Sequence, residues 1–367
     1  MNAMRQLQDL GQSIWLDNIT RELLTSGTLL RYLRELSVTG LTSNPTIFEK
    51  AVSGADSYDA AIQQKAAAGM AAEALLYELA LDDLTQAADL FRPIHDATGG
   101  VDGWVSLEVS PLLASDTAAS IAAAVRLHSR ADRPNLFVKI PGTRAGIPAI
   151  EELVFRGVPV NVTLLFSPEQ YLAAAESYIR GIERRQAAGR DLRVASVASF
   201  FVSRWDAAGN PHLPANLHNR LGMAVASQVY GAYRQVLGSP RWRKLGDAGA
   251  HPQRLLWAST ATKDPAASDT IYVSGLAAPD TINTMPEGTL RAFADHGRVS
   301  SMIADEGRNA DDVFAAVRRV GLDTDAMAAR LQDDGADAFV TSWQRLLAEI
   351  TSKANPSAAA PPISAAR

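Results

Sequence analysis

The stretch Asn135-Leu136-Phe137-Val138-Lys139-Ile140-Pro141-Gly142-Thr143 holds one lysine inside an apolar run that stops at Pro-Gly. A short apolar run closed by turn residues reads as a β-strand buried on both faces, as in parallel sheets flanked by helices. Burying an ammonium is costly, and documented shifts of roughly 3–5 units let such a group shed its proton near neutrality. A neutral amine in that setting is a nucleophile toward carbonyl carbon. Lys139 is therefore a candidate Schiff-base lysine. The competing reading is an edge strand whose lysine discourages edge-to-edge pairing. Against it stand the apolar neighbours on both sides and the scarcity of lysine, the others being Lys50, Lys65, Lys244, Lys263 and Lys353.

Outward from this stretch, strand patterns alternate with helical ones. Ser13-Ile14-Trp15-Leu16-Asp17-Asn18-Ile19 and Val38-Thr39-Gly40-Leu41-Thr42-Ser43 read as the first two strands. The second closes at Asn44-Pro45, with Asn44 suited to cap a helix that Pro45 begins. Residues 103–109 give a third strand, the opening stretch a fourth, 159–166 a fifth, 193–202 a sixth and 254–259 a seventh; Thr270-Ile271-Tyr272-Val273 marks an eighth. Helical patterns cover 20–36, 46–98, 117–129, 144–155, a segment opening at Ser167-Pro168, 221–237, and most of the chain from the eighth region to about 352, with a polar loop over 206–218. This pattern predicts an α/β fold, a single (β/α)8 TIM barrel with extra helices over 1–352. A doubly wound open sheet is the main competitor. The Ala/Pro/Ser-rich tail, 353–367, is expected to be disordered.

Composition narrows the function classes. The 367 residues are 47% apolar and 20% charged with net charge −5, an ordinary globular profile. No basic cluster suggests a nucleic-acid partner. The absence of cysteine removes thiolate nucleophiles, disulfides and cysteine-ligated metals. No secretory signal or apolar run long enough to span a bilayer is present, so a cytoplasmic location and no membrane partner are expected. There is no G-x-S-x-G elbow, no phosphate loop and no dinucleotide turn, and the six histidines are scattered without metal-ligand spacing.

Strand after strand instead carries a polar residue at or near its C-terminal end: Asp17, Asn44, Glu108, Lys139, Asn161 with Thr163, Ser199 and Ser259. A single hydroxyl or carboxylate in a strand is usually a satisfied or solvated group. Agreement among seven strands points to a site, because barrel enzymes assemble theirs from the C-terminal ends of several strands. Two carboxylates and a lysine suffice for Schiff-base chemistry: attack on a ketone, dehydration to an iminium, then C–C cleavage to an enamine. Each step needs a proton moved. Asn44, Asn161 and Thr163 suit a polyol or a water, and Arg204 suits a phosphate, against the plainer reading of a surface arginine.

Several of these blocks, in this order, resemble transaldolase motifs: Trp15-Leu16-Asp17, Gly40-Leu41-Thr42-Ser43-Asn44-Pro45-Thr46-Ile47-Phe48, Ser106-Leu107-Glu108-Val109-Ser110-Pro111, Phe137-Val138-Lys139-Ile140-Pro141-Gly142-Thr143 and Asn161-Val162-Thr163-Leu164-Leu165-Phe166-Ser167. Ser199-Phe200-Phe201-Val202-Ser203-Arg204 and Trp257-Ala258-Ser259-Thr260 continue the series, over about residues 10–350, in the manner of the longer bacterial form. The resemblance implies a (β/α)8 barrel of the pentose phosphate pathway that needs no cofactor and no metal. It implies transfer of a dihydroxyacetone unit from sedoheptulose 7-phosphate to glyceraldehyde 3-phosphate, giving erythrose 4-phosphate and fructose 6-phosphate. By motif, Lys139 forms the Schiff base, Asp17 is acid/base for the C4 hydroxyl, and Glu108 works with Thr163 through a water. Asn44, Asn161 and Ser199 hold the dihydroxyacetone part, Phe201 lines the site, and Arg204 and Ser259 take the phosphate. The family's shorter members carry a second phosphate-binding arginine where this chain has Ala261, and Lys263 is the nearby substitute. Alternatives are an aldolase that only cleaves fructose 6-phosphate, although such chains are much shorter, or a catalytically silent barrel that binds sugar phosphates. A monomer or a homodimer fits equally.

Overall fold

A computed structural model describes residues 3–299, 303 and 310–355. Its centre is a closed barrel of eight strands: β1 (Ser13–Asp17), β2 (Val38–Thr42), β3 (Val105–Glu108), β4 (Leu136–Pro141), β5 (Val160–Leu165), β6 (Ser196–Phe201), β7 (Gln253–Ala258) and β8 (Thr281–Met285). Every neighbour pair is parallel, and β1 pairs with both β2 and β8. That closure confirms the expected barrel and excludes the open sheet. The apolar strand runs are explained by it, since both faces of every strand from β3 to β8 are buried, one inside the barrel and one under helices.

Local chemistry sets the helix starts. Asn44 accepts a hydrogen bond from Ile47 N at 3.0 Å and caps Pro45–Ser53, with Pro45 in the first turn. Ser167 caps Pro168–Ala187 in the same way, and Asp116 caps Thr117–Ala131. After β4 the chain turns tightly enough that a Cβ on Gly146 would stand 1.8 Å from Pro141 O. Only glycine allows the helix Gly146–Arg156 to begin so close to the strand carrying Lys139.

The structure corrects several sequence expectations. The eighth strand is Thr281–Met285, whereas Ile271–Gly275, the Ile-Tyr-Val run taken for it, is a short helix. The helix expected over 20–36 is broken at Gly27 (φ 75°) into Arg21–Thr25 and Thr28–Glu35. The segment 46–98 is several elements, of which Ala72–Ala97 is the longest. The loop expected over 206–218 begins inside the helix Ser203–Gly209, where Asp206 is buried and accepts from Gly222 N and Tyr272 OH. Lys353 and Ala354, assigned to the tail, end the last helix and Asn355 follows as its C-cap; 356–367, the remainder of the expected disordered tail, lies outside the described residues.

That last helix, Thr324–Ala354, packs across the C-terminal mouth of the barrel. Gln332 Nε2 donates to Gly142 O at 3.1 Å and to Leu164 O at 2.8 Å, tying the helix to the ends of β4 and β5. Leu164 sits at φ 60°, a left-handed conformation uncommon for leucine, where the register of β5 against β6 slips. The resulting bulge turns the Leu164 carbonyl toward Gln332.

Candidate active site

The C-terminal mouth holds a pocket of about 430 Å³. Nine predicted site residues line it: Asp17, Asn44, Lys139, Thr163, Ser199, Phe201, Arg204, Ser259 and Lys263. The other two, Glu108 and Asn161, lie buried beneath the lining. Strand register explains the grouping. Glu108, Lys139 and Asn161 are Cα partners across β3, β4 and β5, so their side chains share one inward row. Asp17 and Thr42 are partners across β1 and β2 in the same way.

Lys139 Nζ stands 3.1 Å from Glu108 Oε2, with both side chains 6% exposed, and donates a hydrogen bond to Ser43 O at 3.0 Å. The Phe339 ring closes over it from the last helix at 5.9 Å. Burial pushes the Glu108 carboxyl up from the usual carboxylate range, and the Lys139 charge only partly opposes this. Among the described residues Glu108 Oε2 has Lys139 as its one partner, and Thr163 Oγ1 is buried without any. These two atoms are suited to hold a water, which needs polar partners that the protein leaves free.

Asp17 is also raised by burial, with the Thr42 hydrogen bond and the charges of Lys139 and Lys263 pulling the other way. Its Oδ1 accepts from Thr42 Oγ1 at 2.6 Å. On the far wall Ser199 Oγ donates to Asn161 Oδ1 at 2.7 Å, and Asn161 Nδ2 donates to Ser106 Oγ at 3.1 Å. That chain spans β3, β5 and β6 and fixes the Asn161 amide.

One side of the pocket is cationic. Arg204 lies 5.5 Å over the Phe201 ring, and burial lowers its guanidinium pKa. Room for it comes from Gly335, where a Cβ would stand 3.2 Å from Arg204 Nη1. Lys263 is lowered by burial and then by the charges of Arg204 and Lys50, so these three cations crowd one another. None of them forms an ion pair among the described residues. Ser259, at φ 54° just past β7, shares a 2.9 Å hydroxyl contact with Ser203 beside them. Ala261 lines the pocket too and offers no cation.

Sequence reading missed Thr42, Lys50, Thr284, Glu287 and Phe339 among the lining residues. Lys50 had a readable signal: Thr46, Ile47, Lys50 and Ala51 form one helical face that enters the pocket together. Thr284 was lost with the misplaced eighth strand. Phe339 comes from an element far away in sequence and had no signal.

A parallel barrel whose C-terminal mouth holds a buried lysine paired with a buried glutamate, a partly buried aspartate, and a cluster of cations with no ion pair among the described residues defines a class: barrel enzymes that process phosphorylated carbonyl compounds through an amine. The family profile described as Transaldolase/Fructose-6-phosphate aldolase matches residues 14–350. A transaldolase of Thermobifida fusca (strain YX) is 44% identical over 358 residues, covering 94% of this chain and 96% of the relative. One from Frankia alni is 44% identical over 95% of this chain and 96% of its own. Transaldolase 1 of Streptomyces avermitilis is 45% identical over 94% of this chain and 93% of its own. The chain belongs to the transaldolase/fructose-6-phosphate aldolase family and is an enzyme of the transaldolase type. Among the described residues no helix is long and apolar enough to cross a membrane.

Proposed function

We propose that the chain transfers a dihydroxyacetone unit from sedoheptulose 7-phosphate to glyceraldehyde 3-phosphate through an imine at Lys139, in the pentose phosphate pathway and in the cytoplasm, as a monomer or a homodimer. The observation that carries this reading is the Lys139–Glu108 contact of 3.1 Å at the floor of a pocket whose opposite wall presents Asp17. To attack the donor ketone, Lys139 must give up a proton, and Glu108 is the adjacent acceptor. A water between Glu108 and Thr163 then carries the proton needed to expel hydroxide from the carbinolamine. The iminium draws the electron pair of the neighbouring C–C bond to itself, leaving an enamine. Asp17 takes the proton of the substrate hydroxyl as the aldehyde product departs, and returns it when the acceptor aldehyde adds.

Asn44, Asn161 and Ser199 suit the hydroxyls of the dihydroxyacetone unit. Asn44 spends its oxygen on the helix cap, which leaves its amide nitrogen free for the pocket. Phe201 supplies an apolar wall, and Arg204, Ser259 and Lys263 suit the phosphate, with Lys263 in the place of the missing arginine. The 44% identity to full-length relatives named transaldolase favours transfer over simple fructose 6-phosphate cleavage.

The test is borohydride reduction in the presence of fructose 6-phosphate. Irreversible inactivation with added mass at Lys139 is expected, and labelling at another residue would sink the reading. Release of free dihydroxyacetone in the presence of an acceptor aldehyde, in place of transfer, would favour the aldolase alternative.

A further inference from the structure

Several buried hydroxyls around this barrel donate to backbone carbonyls. Ser43 Oγ donates to Ser106 O, Ser196 Oγ to Val160 O, Thr260 Oγ1 to Thr284 O and Thr281 Oγ1 to Ala278 O. That is the ordinary fate of a serine or threonine in a buried sheet. Thr42 and Thr284 depart from it, as Ser199 does through its bond to the Asn161 side chain. Thr42 Oγ1 lies 2.6 Å from Asp17 Oδ1 and 2.7 Å from Thr284 Oγ1, and the two threonines are 3% and 2% exposed. Three neighbouring strands, β8, β1 and β2, thus bring three side-chain oxygens into one chain that ends on the carboxylate.

Hydrogen counting fixes the direction of this chain. A threonine hydroxyl has one hydrogen. With Asp17 ionised, Thr42 must spend its hydrogen on Asp17, so the hydrogen between the threonines can only come from Thr284. Each bond polarises the next, which strengthens the donation to Asp17. Thr42 holds Oδ1, and Oδ2 is the oxygen left without a side-chain hydrogen bond.

We infer that Thr42 and Thr284 are positioning residues of the reaction, a directed hydroxyl relay that orients Asp17 so that Oδ2 faces the substrate hydroxyl and favours its ionised, proton-accepting form. This rests on the reading of Asp17 as the acid/base of C–C cleavage. The relay moves no covalent bond. Oδ2 takes the hydroxyl proton while the C–C electron pair passes to the iminium, and Thr42 stays on Oδ1 throughout. The charged groups facing Asp17 from other elements are Lys139 on β4 and Lys263 beyond β7, which also favour the ionised form. Glu108 on β3 feels the Asp17 charge and opposes it. Lys50 and Glu287 line the same pocket.

The test is the pH profile of single-turnover C–C cleavage of fructose 6-phosphate in Thr42→Val, Thr42→Ser, Thr284→Val and Asp17→Ala, with borohydride trapping at Lys139 run alongside. A hydrogen bond to a charged group is strong enough that its loss should move the acidic limb upward by about one to two pH units in Thr42→Val. Thr284→Val, acting through Thr42, should move it the same way by less, and Thr42→Ser should restore it. Trapping at Lys139 should persist in all three threonine variants. A slower Thr42→Val enzyme whose limb has not moved would reduce Thr42 to a packing role and overturn the inference, as would a failure of Thr42→Ser to restore the limb. If Asp17→Ala cleaves normally, the acid/base reading of Asp17 falls and the relay falls with it; if Asp17→Ala is inactive in cleavage while Thr42→Val keeps the native limb, only the relay falls.

Discussion

Two buried carboxylates in this molecule each face a cation, and they are treated in opposite ways. Asp83, on the helix Ala72–Ala97 outside the barrel, is fully saturated. Its Oδ1 accepts from Arg21 Nε at 3.0 Å and Arg21 Nη2 at 2.9 Å, and its Oδ2 accepts from Tyr58 OH at 2.8 Å. Tyr58 OH in turn accepts from Arg21 N at 2.8 Å, and the guanidinium lies 4.8 Å over the Tyr58 ring. Glu108 has only its lysine, whose Nζ stands 3.1 Å from Oε2 and also donates to Ser43 O; among the described residues no second group donates to the carboxylate. Burial raises the proton affinity of both acids. A closed network cannot exchange partners without breaking, so it joins three helical elements, Arg21–Thr25, Asp56–Tyr58 and Ala72–Ala97, and nothing more. An open one has capacity to spare for a substrate, a water or a proton. Spare acceptor capacity beside a pocket therefore separates chemistry from scaffolding better than burial or charge does.

The comparison is broken most severely at Lys139. Lys139→Met should abolish both transfer and borohydride labelling, while thermal unfolding changes little, because the Glu108 left behind can take up a proton instead of remaining as a bare charge. A large fall in melting temperature would mean that the pair is structural after all. Glu108→Gln should slow imine formation by about 10²–10⁴-fold and C–C cleavage much less, with Asp17→Asn doing the reverse. Equal effects of the two in single-turnover kinetics would contradict the division of labour. On the other side, Asp83→Ala strands a partly buried guanidinium and a buried tyrosine hydroxyl. It should cost about 3–5 kcal/mol in urea unfolding with kcat per folded molecule unchanged. A catalytic loss without a stability loss would reverse the assignment.

The same contrast shows what was legible before the structure. The barrel and the motif residues could be read because β3 to β7 are apolar runs interrupted at one end by a polar residue, a local pattern. β8 breaks that pattern: Thr281-Ile282-Asn283-Thr284-Met285 sets three polar residues against two apolar ones, and its polar Thr284 faces the pocket, so the more apolar Ile-Tyr-Val run nearby outcompeted it. Read from sequence alone, the Asp82-Asp83 pair looks like a solvated acidic patch on a helix. Helical period separates them, since Asp83 falls on the buried face with Leu79, Ala80 and Ala87 while Asp82 stays exposed. Period alone could have said so; what it could not supply was Arg21 and Tyr58 as partners, which come from other elements. Phe339 over Lys139 is of the same kind, a contact made only when the last helix crosses the mouth.

The smallest expected effect concerns the cost of holding open acids in place. Asp17 binds its proton more tightly in the folded chain than in the unfolded one, burial being the main cause. The folded state therefore holds the extra proton, and this carboxyl's contribution to stability falls as pH rises from the unfolded value near about 4 to the raised folded value. Asp17→Asn cannot ionise, keeps an oxygen for the Thr42 hydroxyl, and escapes that loss. The variant should match the native protein in urea unfolding below about pH 4 and become progressively the more stable of the two above it, while losing C–C cleavage. Asp83→Asn serves as the counter-case. Its acid is raised by burial too, but the amide nitrogen would confront Tyr58 or Arg21, so the exchange should destabilise across the same range. Opposite signs at Asp17 and Asp83 would place the stability cost at the open site alone; a gain at both would remove the distinction between the two clusters.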